Sequence, residues 1–161
     1  MLDSAGGIVN SPVLPRKTTM ESGASRQSTT DRNALIGGLP SEEWQLLRRL
    51  HPNVLLTGTP PATAAAVNAL RPSLRSPVIT WHAGEPLVLP PDGSSRTLIL
   101  DDAVALSFRD QLRLLAWLKE SEDPTQVVTT APCPLLPLVD RGVFLEALYY
   151  HLNLVYIEIL S

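Results

Sequence analysis

Apolar and polar positions follow two rhythms along this chain. Five stretches are short and apolar on both faces: "NVLLTG", "PVITW", "RTLILDD", "TQVVTT" and "LVYIEIL". Such runs predict strands buried on both sides, at about 53–57, 77–81, 97–101, 126–130 and 154–159. Between them the period lengthens to that of helices. "PSEEWQLLRRL" starts one, with Ser41 as N-cap, acids in the first turn, and Trp44, Leu47 and Leu50 at helical spacing. "ATAAAVNAL" follows the first strand after a Pro-rich turn and is ended by Pro72. "SFRDQLRLLAWLKES" is the clearest helix, capped by Ser107 with Asp110 three residues on, and Leu112, Leu115, Ala116 and Leu118 form its expected apolar face. "LLPLVDRG" predicts a short helix ended by Gly142, and "VFLEALYYHLN" another. "PLVLPPDGSS" is expected to be a short extended piece with a Pro-Asp-Gly turn. Residues 1 to about 33 are rich in Ser, Thr, Gly and Arg without apolar periodicity, and are expected to form a disordered tail before a domain at 34–161. Strands alternating with helices predict an α/β fold with a mainly parallel sheet covered on both faces.

Composition narrows the classes. With 161 residues, 44% of them hydrophobic, the chain can bury one ordinary core. A net charge of −3 and the lack of any Lys/Arg-dense run argue against direct DNA binding. The single cysteine, Cys133, excludes an internal disulfide and a multi-cysteine zinc site, which fits a cytoplasmic location. No apolar run approaches the roughly 18–20 residues that span a bilayer, so no membrane partner is expected. The N-terminus lacks the basic-then-apolar order of a signal peptide.

The stretch "NVLLTGTPPATAAAVNAL" has the strand, loop, helix order of a phosphate-binding P-loop. That loop works through glycines whose backbone N–H groups wrap phosphates, and through a lysine that reaches the β/γ-phosphates. Here Gly58 is present. If it is the first position of G-x-x-x-x-G-K-[ST], the second glycine, lysine and hydroxyl are replaced by Thr63, Ala64 and Ala65. Pro60 and Pro61 remove two N–H donors. "TLILDD" has the form of a Walker B strand, in which Asp101 would hold Mg²⁺ and Asp102 stands where a Glu usually polarises water. A vestigial nucleotide site is therefore expected at Gly58, Thr59, Thr63, Asp101 and Asp102, with Asp101 the candidate metal ligand. Cys133 lies between two prolines with no evident base. His51, His82 and His151 are far apart and lack ligand spacing, so they are read as structural.

From Asn53 onward several segments in order resemble the AAA+ domain of bacterial enhancer-binding proteins, the sigma-54 interaction domain. "VLLTG" resembles its Walker A strand, and "SSRTLILDDAVALSFRDQLRLLAWLKE" its G-T-L-F-L-D-E-(I/V)-x-x-L-x-x-x-x-Q-x-x-L-L-x-x-L. "QVVTTA" resembles the sensor I strand. "LVDRGVFLEALYYHLNLVYIEI" is similar to the family's G-x-F-R-x-D-L-Y-Y-R-L-N, with Gly142, Phe144, Leu148, Tyr149, Tyr150, Leu152 and Asn153 in register. The resemblance implies a three-layer P-loop NTPase-like fold whose five-stranded parallel sheet has the order 5-1-4-3-2.

The departures bear on function. The resemblance places the two arginine fingers at Leu145 and His151, the sensor I asparagine at Ala131, and the Walker A lysine at Ala64. Leucine carries no charge, and histidine is shorter and carries no permanent one. Where the family has a long helix and an inserted GAFTGA loop that touches the sigma factor, only about fifteen residues, His82 to Arg96, bridge two strands, and they include three prolines. The chain ends at Ser161, so a core without the family's helical lid or DNA-binding helix-turn-helix is expected. The reading is a truncated, non-catalytic AAA+-like module that acts through a protein partner in regulation of transcription or assembly. It has no cofactor and does not activate sigma-54 transcription alone. A weak ATP/Mg binder and a working ATPase are the alternatives. Self-association is one form such contact could take, with Phe144, Leu145 and Tyr149 as the positions tested first.

Overall fold

A computed structural model describes residues 41–91, 96–122 and 125–160. The tail expected at 1–33 and the Pro-Asp-Gly turn lie outside these residues, wholly or in part, and so does the Ser41 side chain. The element order is α1 (Ser41–Leu50), β1 (Val54–Thr57), α2 (Pro60–Leu70), a 3₁₀ turn (Arg71–Ser73), β2 (Val78–His82), β3 (Thr97–Asp101), a second 3₁₀ turn (Ala103–Ala105), α3 (Phe108–Glu120), β4 (Gln126–Ala131), α4 (Leu136–Asp140), α5 (Glu146–Leu152) and β5 (Val155–Glu158). All strand pairs are parallel and the order is β2-β3-β4-β1-β5, the arrangement the resemblance implies.

Alternate residues of each strand feed two separate cores, as the two-residue period of a strand requires. On one face Val54 and Leu56 of β1, Ile99, Val128 and Ile157 pack with Trp44 and Leu47 of α1 and Ala66, Val67 and Leu70 of α2. On the other, Leu55, Leu98, Leu100 and Val127 pack with Leu114 of α3 and Leu148 and Leu152 of α5. Leu50, expected to share the α1 face, is exposed. Asn53 ties three elements together at the N-terminal edge: its Nδ2 donates to the His151 carbonyl at 2.8 Å, and its Oδ1 accepts from Val127 N–H at 2.8 Å.

Three local expectations need correction. Pro60 and Pro61 do not form a turn before the helix; they are its first two residues, where a missing N–H costs nothing. The buried stripe of α3 is Gln111 and Leu114, flanked by half-buried Leu115, Trp117 and Leu118, whereas Leu112 and Ala116 face solvent. The last helix starts at Glu146 rather than Val143. Gln111 explains both of the last two results. Its Nε2 donates to the carbonyls of Leu106 (3.1 Å) and Val143 (3.2 Å), and its Oε1 accepts from Leu145 N–H (2.9 Å). A buried amide is satisfied only by turning its helix face toward that loop, and the loop is then held out of the helix. The Ser107 cap is observed, its Oγ accepting from Asp110 N–H at 3.1 Å. Gly142 follows α4 at φ +69°, a left-handed terminator.

β2 and β3 are neighbours joined by residues 83–96, and no helix lies among the described residues of that connection. The chain turns at once, Glu85 N–H reaching the His82 carbonyl at 3.1 Å. It then lies over the second core: Leu87 is buried, and the Trp117 indole N–H of α3 donates to the Pro90 carbonyl at 2.9 Å. Irregular backbone thus covers apolar surface that a crossover helix would otherwise cover. No helix among the described residues is long and apolar enough to cross a membrane.

Candidate functional site

In an open parallel sheet, ligands bind beyond the carboxyl ends of the strands. Here those ends carry Gly58 after β1, Asp101 at the end of β3 with Asp102 after it, and Thr130 and Ala131 of β4. Gly58, Thr63, Asp101 and Asp102 line one cavity of about 170 Å³ with Pro60, Thr130, Ala131 and Pro132. Four of the five expected residues are therefore brought together. Thr59 does not line the cavity; it is the N-cap of α2, with no side-chain cap bond.

The connection from β1 to α2 is only Gly58–Thr59. Gly58 has φ +153°, and a Cβ there would sit 2.8 Å from the Ile159 carbonyl oxygen. Its N–H donates to the Ala131 carbonyl at 3.2 Å, toward the sheet. The first helical N–H groups are the other donors a phosphate would use. Pro60 and Pro61 have none, and Thr63 N–H donates to the Thr59 carbonyl at 3.0 Å. The Thr63 hydroxyl is buried and turns back on its own helix, donating to Pro60 (3.1 Å) and Thr59 (3.3 Å) carbonyls. Ala64, at the lysine position, is the fifth residue of α2, a full turn in.

Asp101 is also engaged, whereas the Asp102 carboxylate is not. Thr130 Oγ1 donates to Asp101 Oδ1 at 3.0 Å and accepts from Asp102 N–H at 2.9 Å. His82 Nδ1 contacts the other Asp101 oxygen, Oδ2, at 3.1 Å. Asp102 has φ +64°, a left-handed conformation uncommon for a residue with a side chain. Its Oδ1 is buried with no hydrogen-bond partner among the described residues. Among those residues no group of three or more His, Cys, Asp or Glu side chains is placed to hold a metal. The cavity is smaller than the roughly 300–1,000 Å³ usual for small-molecule sites. Taken together, the two-residue loop and the Pro60–Pro61 start of α2 offer few of the N–H donors that a triphosphate would use.

His82 is the site residue that sequence spacing missed. The signal was in the strands: with β2 and β3 parallel, the register pairs His82 with Asp101, nineteen residues on. Leu145 and His151, which the resemblance aligns with arginine fingers, are both half-buried. Leu145 packs on the second core beside buried Phe144 and half-buried Tyr149, and the His151 carbonyl accepts from Asn53. Phe144, Leu145 and Tyr149 thus serve their own domain's core. Cys133 is exposed and unpaired.

No family model matches the chain, and no curated protein matches it. Solved structures do. NtrX from Brucella abortus in complex with ATP aligns with a TM-score of 0.60 at 14% identity, over 88% of this chain and 39% of that one. The same protein in complex with ADP gives 0.56 at 16% identity, over 74% and 35%. The P-loop NTPase domain of a sigma-54 transport activator from E. coli gives 0.52 at 18% identity, over 68% of this chain and 98% of that one. The chain spans less than two fifths of the NtrX chains. At these identities the likeness is one of fold: an α/β fold with a five-stranded parallel sheet, similar to that of the sigma-54 activator P-loop NTPase domain.

Proposed function

We propose that this chain is a non-catalytic, sigma-54-interaction-domain-like AAA+ protein, working as a protein-interaction or transcription-regulatory module without ATP turnover. One observation carries the reading: β1 runs into α2 through two residues, and the helix opens on Pro60–Pro61. A phosphate-binding loop depends on a longer turn and on the N–H groups that prolines lack. Leu145 and His151 at the finger positions agree, since loss of one arginine finger alone costs about 10³–10⁵ in rate. The lack of a helix among the described residues of the β2–β3 connection agrees with a protein that does not open sigma-54 promoters by itself. A protein partner is supported by apolar side chains left at the surface beside β5, namely Leu136, Tyr150, Leu154 and Tyr156. A soluble protein acting in the cytoplasm, without direct DNA or membrane contact, is the setting this reading assumes.

Weak binding of ATP and Mg²⁺ is the second reading. Its support is the convergence of Gly58, Thr63, Asp101 and Asp102 on one cavity, in a fold that NtrX uses to hold ATP. An ATP hydrolysis assay on the full chain tests the main reading. Turnover at the level of buffer alone is expected. Protein-dependent turnover that survives repurification and is abolished by Asp101→Ala would overturn it.

A further inference from the structure

β5 is an edge of the sheet. In the order β2-β3-β4-β1-β5 it pairs on one side only, with β1. Its N–H groups at Val155 and Ile159 donate back to the Asn53 and Thr57 carbonyls, at 3.1 and 2.7 Å. The hydrogen-bonding groups of a strand alternate sides, so the N–H and C=O groups of Tyr156 and Glu158 point outward from the edge. No described strand takes them. Side chains alternate as well. Ile157 and Ile159 are buried, while Leu154, Tyr156, Glu158 and Leu160 stand exposed on the other face. That face continues onto neighbouring elements. Tyr156 shares a cavity of about 320 Å³ with Leu136 of α4 and Tyr149 of α5, and Tyr150 meets Tyr149 edge-on with ring centroids 5.4 Å apart. Leu136, Tyr150, Leu154, Tyr156 and Leu160 are 43% to 85% exposed. Edge strands are commonly guarded by proline, lysine or a bulge. Residues 154–160 contain no proline and no lysine, and Glu158 is their one charge.

The strand is complementary to itself. A second copy can add its own β5 antiparallel, about a two-fold axis normal to the sheet, which keeps both exposed faces on the same side. Outward groups must then meet outward groups, so only a few registers keep the strand paired. Centred on Glu158, the two carboxylates face each other, which is destabilising. Centred on Tyr156, each carboxylate faces Leu154 of the other copy. Centred on Ile157, Leu154 stands opposite Leu160 and Tyr156 opposite Glu158, and each Tyr156–Glu158 pair exchanges both its N–H···O bonds. The exposed area agrees. With roughly 100 Å² left on each of the five apolar side chains, two copies hold about 1,000 Å² of apolar surface, the size at which specific interfaces begin.

We propose that the β5 edge and the apolar face beside it form the contact surface of a two-fold dimer of this chain. Two antiparallel β5 strands, centred on Ile157, join the two sheets into one. The partner is thus a second copy of the chain. This deepens the protein-interaction reading and rests on it.

The test is sedimentation equilibrium of the full chain, with hydrogen exchange of its amides at the same concentrations. A monomer–dimer equilibrium at tens of micromolar is expected, with the Tyr156 and Glu158 amides protected in the dimer and exchanging freely on dilution. Leu154→Lys and Leu160→Glu should each weaken the dimer by about tenfold, since the two-fold axis repeats every cross-strand pair. Both side chains are exposed, so the diluted variants should melt with diluted wild type. The double variant Leu154→Lys/Leu160→Glu sets opposite charges across the pair and should recover most of the loss. No recovery overturns the pairing. So does a stronger dimer from Leu154→Lys alone, because in the register centred on Tyr156 the lysine would face Glu158. A chain that stays monomeric overturns the dimer itself. Protected Tyr156 and Glu158 amides in that monomer would assign the edge to the chain's own residues, and unprotected ones would leave it to another protein. ATP turnover, which decides the wider reading, is measured apart from mass, so the two fail separately.

Discussion

At Gly58 the backbone has φ +153°, and the next strand's end crosses it so closely that a Cβ would lie 2.8 Å from the Ile159 carbonyl oxygen. Ile159 cannot retreat freely, because its N–H donates to the Thr57 carbonyl at 2.7 Å. Gly58 is thus required for chain packing, whatever becomes of phosphate binding. Gly58→Ala is expected to destabilise the domain by about 1–3 kcal/mol, the range for strained backbone. Chemical denaturation measures this; an unchanged midpoint would show that the contact relaxes at no cost. The glycine was legible in the sequence as a P-loop remnant, but its actual role was not, since the atom it avoids lies about a hundred residues away. Gln111 was hidden for a similar reason. A polar residue on an apolar helix reads as a surface position until its three backbone partners are seen.

Elements were more legible than the residues joining them. Each strand is a short run buried on both faces, and such runs differ from amphipathic helices in length as well as period. All five were found within a residue or two of their observed limits. The junctions were less clear, because Pro60–Pro61 suits both a turn and the first turn of a helix. The structure assigns the second role, and this shortens the connection that would have wrapped phosphate. On the proposed reading, a charge restored at Ala64 is expected not to restore nucleotide binding. Ala64→Lys puts an ammonium a full turn into α2, with no loop of N–H groups before it. The variant is expected to bind ATP–Mg²⁺ no better than wild type in a fluorescence titration with a nucleotide analogue. A gain of tenfold or more would mean that the lysine, rather than the loop, was the missing part.

At the scale of the molecule, the fold shared with the NtrX and sigma-54 activator structures does not depend on the residues of a nucleotide site. The two cores flanking the sheet draw on Val54, Leu55, Leu56, Leu98, Ile99 and Leu100, and none of these depends on a lysine or an arginine finger. The long match around Gly142–Asn153 made the fold legible, because its apolar residues, Phe144, Leu148 and Leu152, are core residues. The site was less so. Sequence indicated the positions at which this chain differs from the family it resembles, while His82 beside Asp101 and the engagement of Thr63 and Thr130 follow from strand register and helix geometry. The most direct measurement of the central claim is isothermal titration calorimetry of the full chain with ATP and Mg²⁺ at millimolar nucleotide. The account predicts no saturable one-to-one binding. Saturation at one nucleotide per chain with a micromolar Kd, lost in Asp101→Ala, would contradict it.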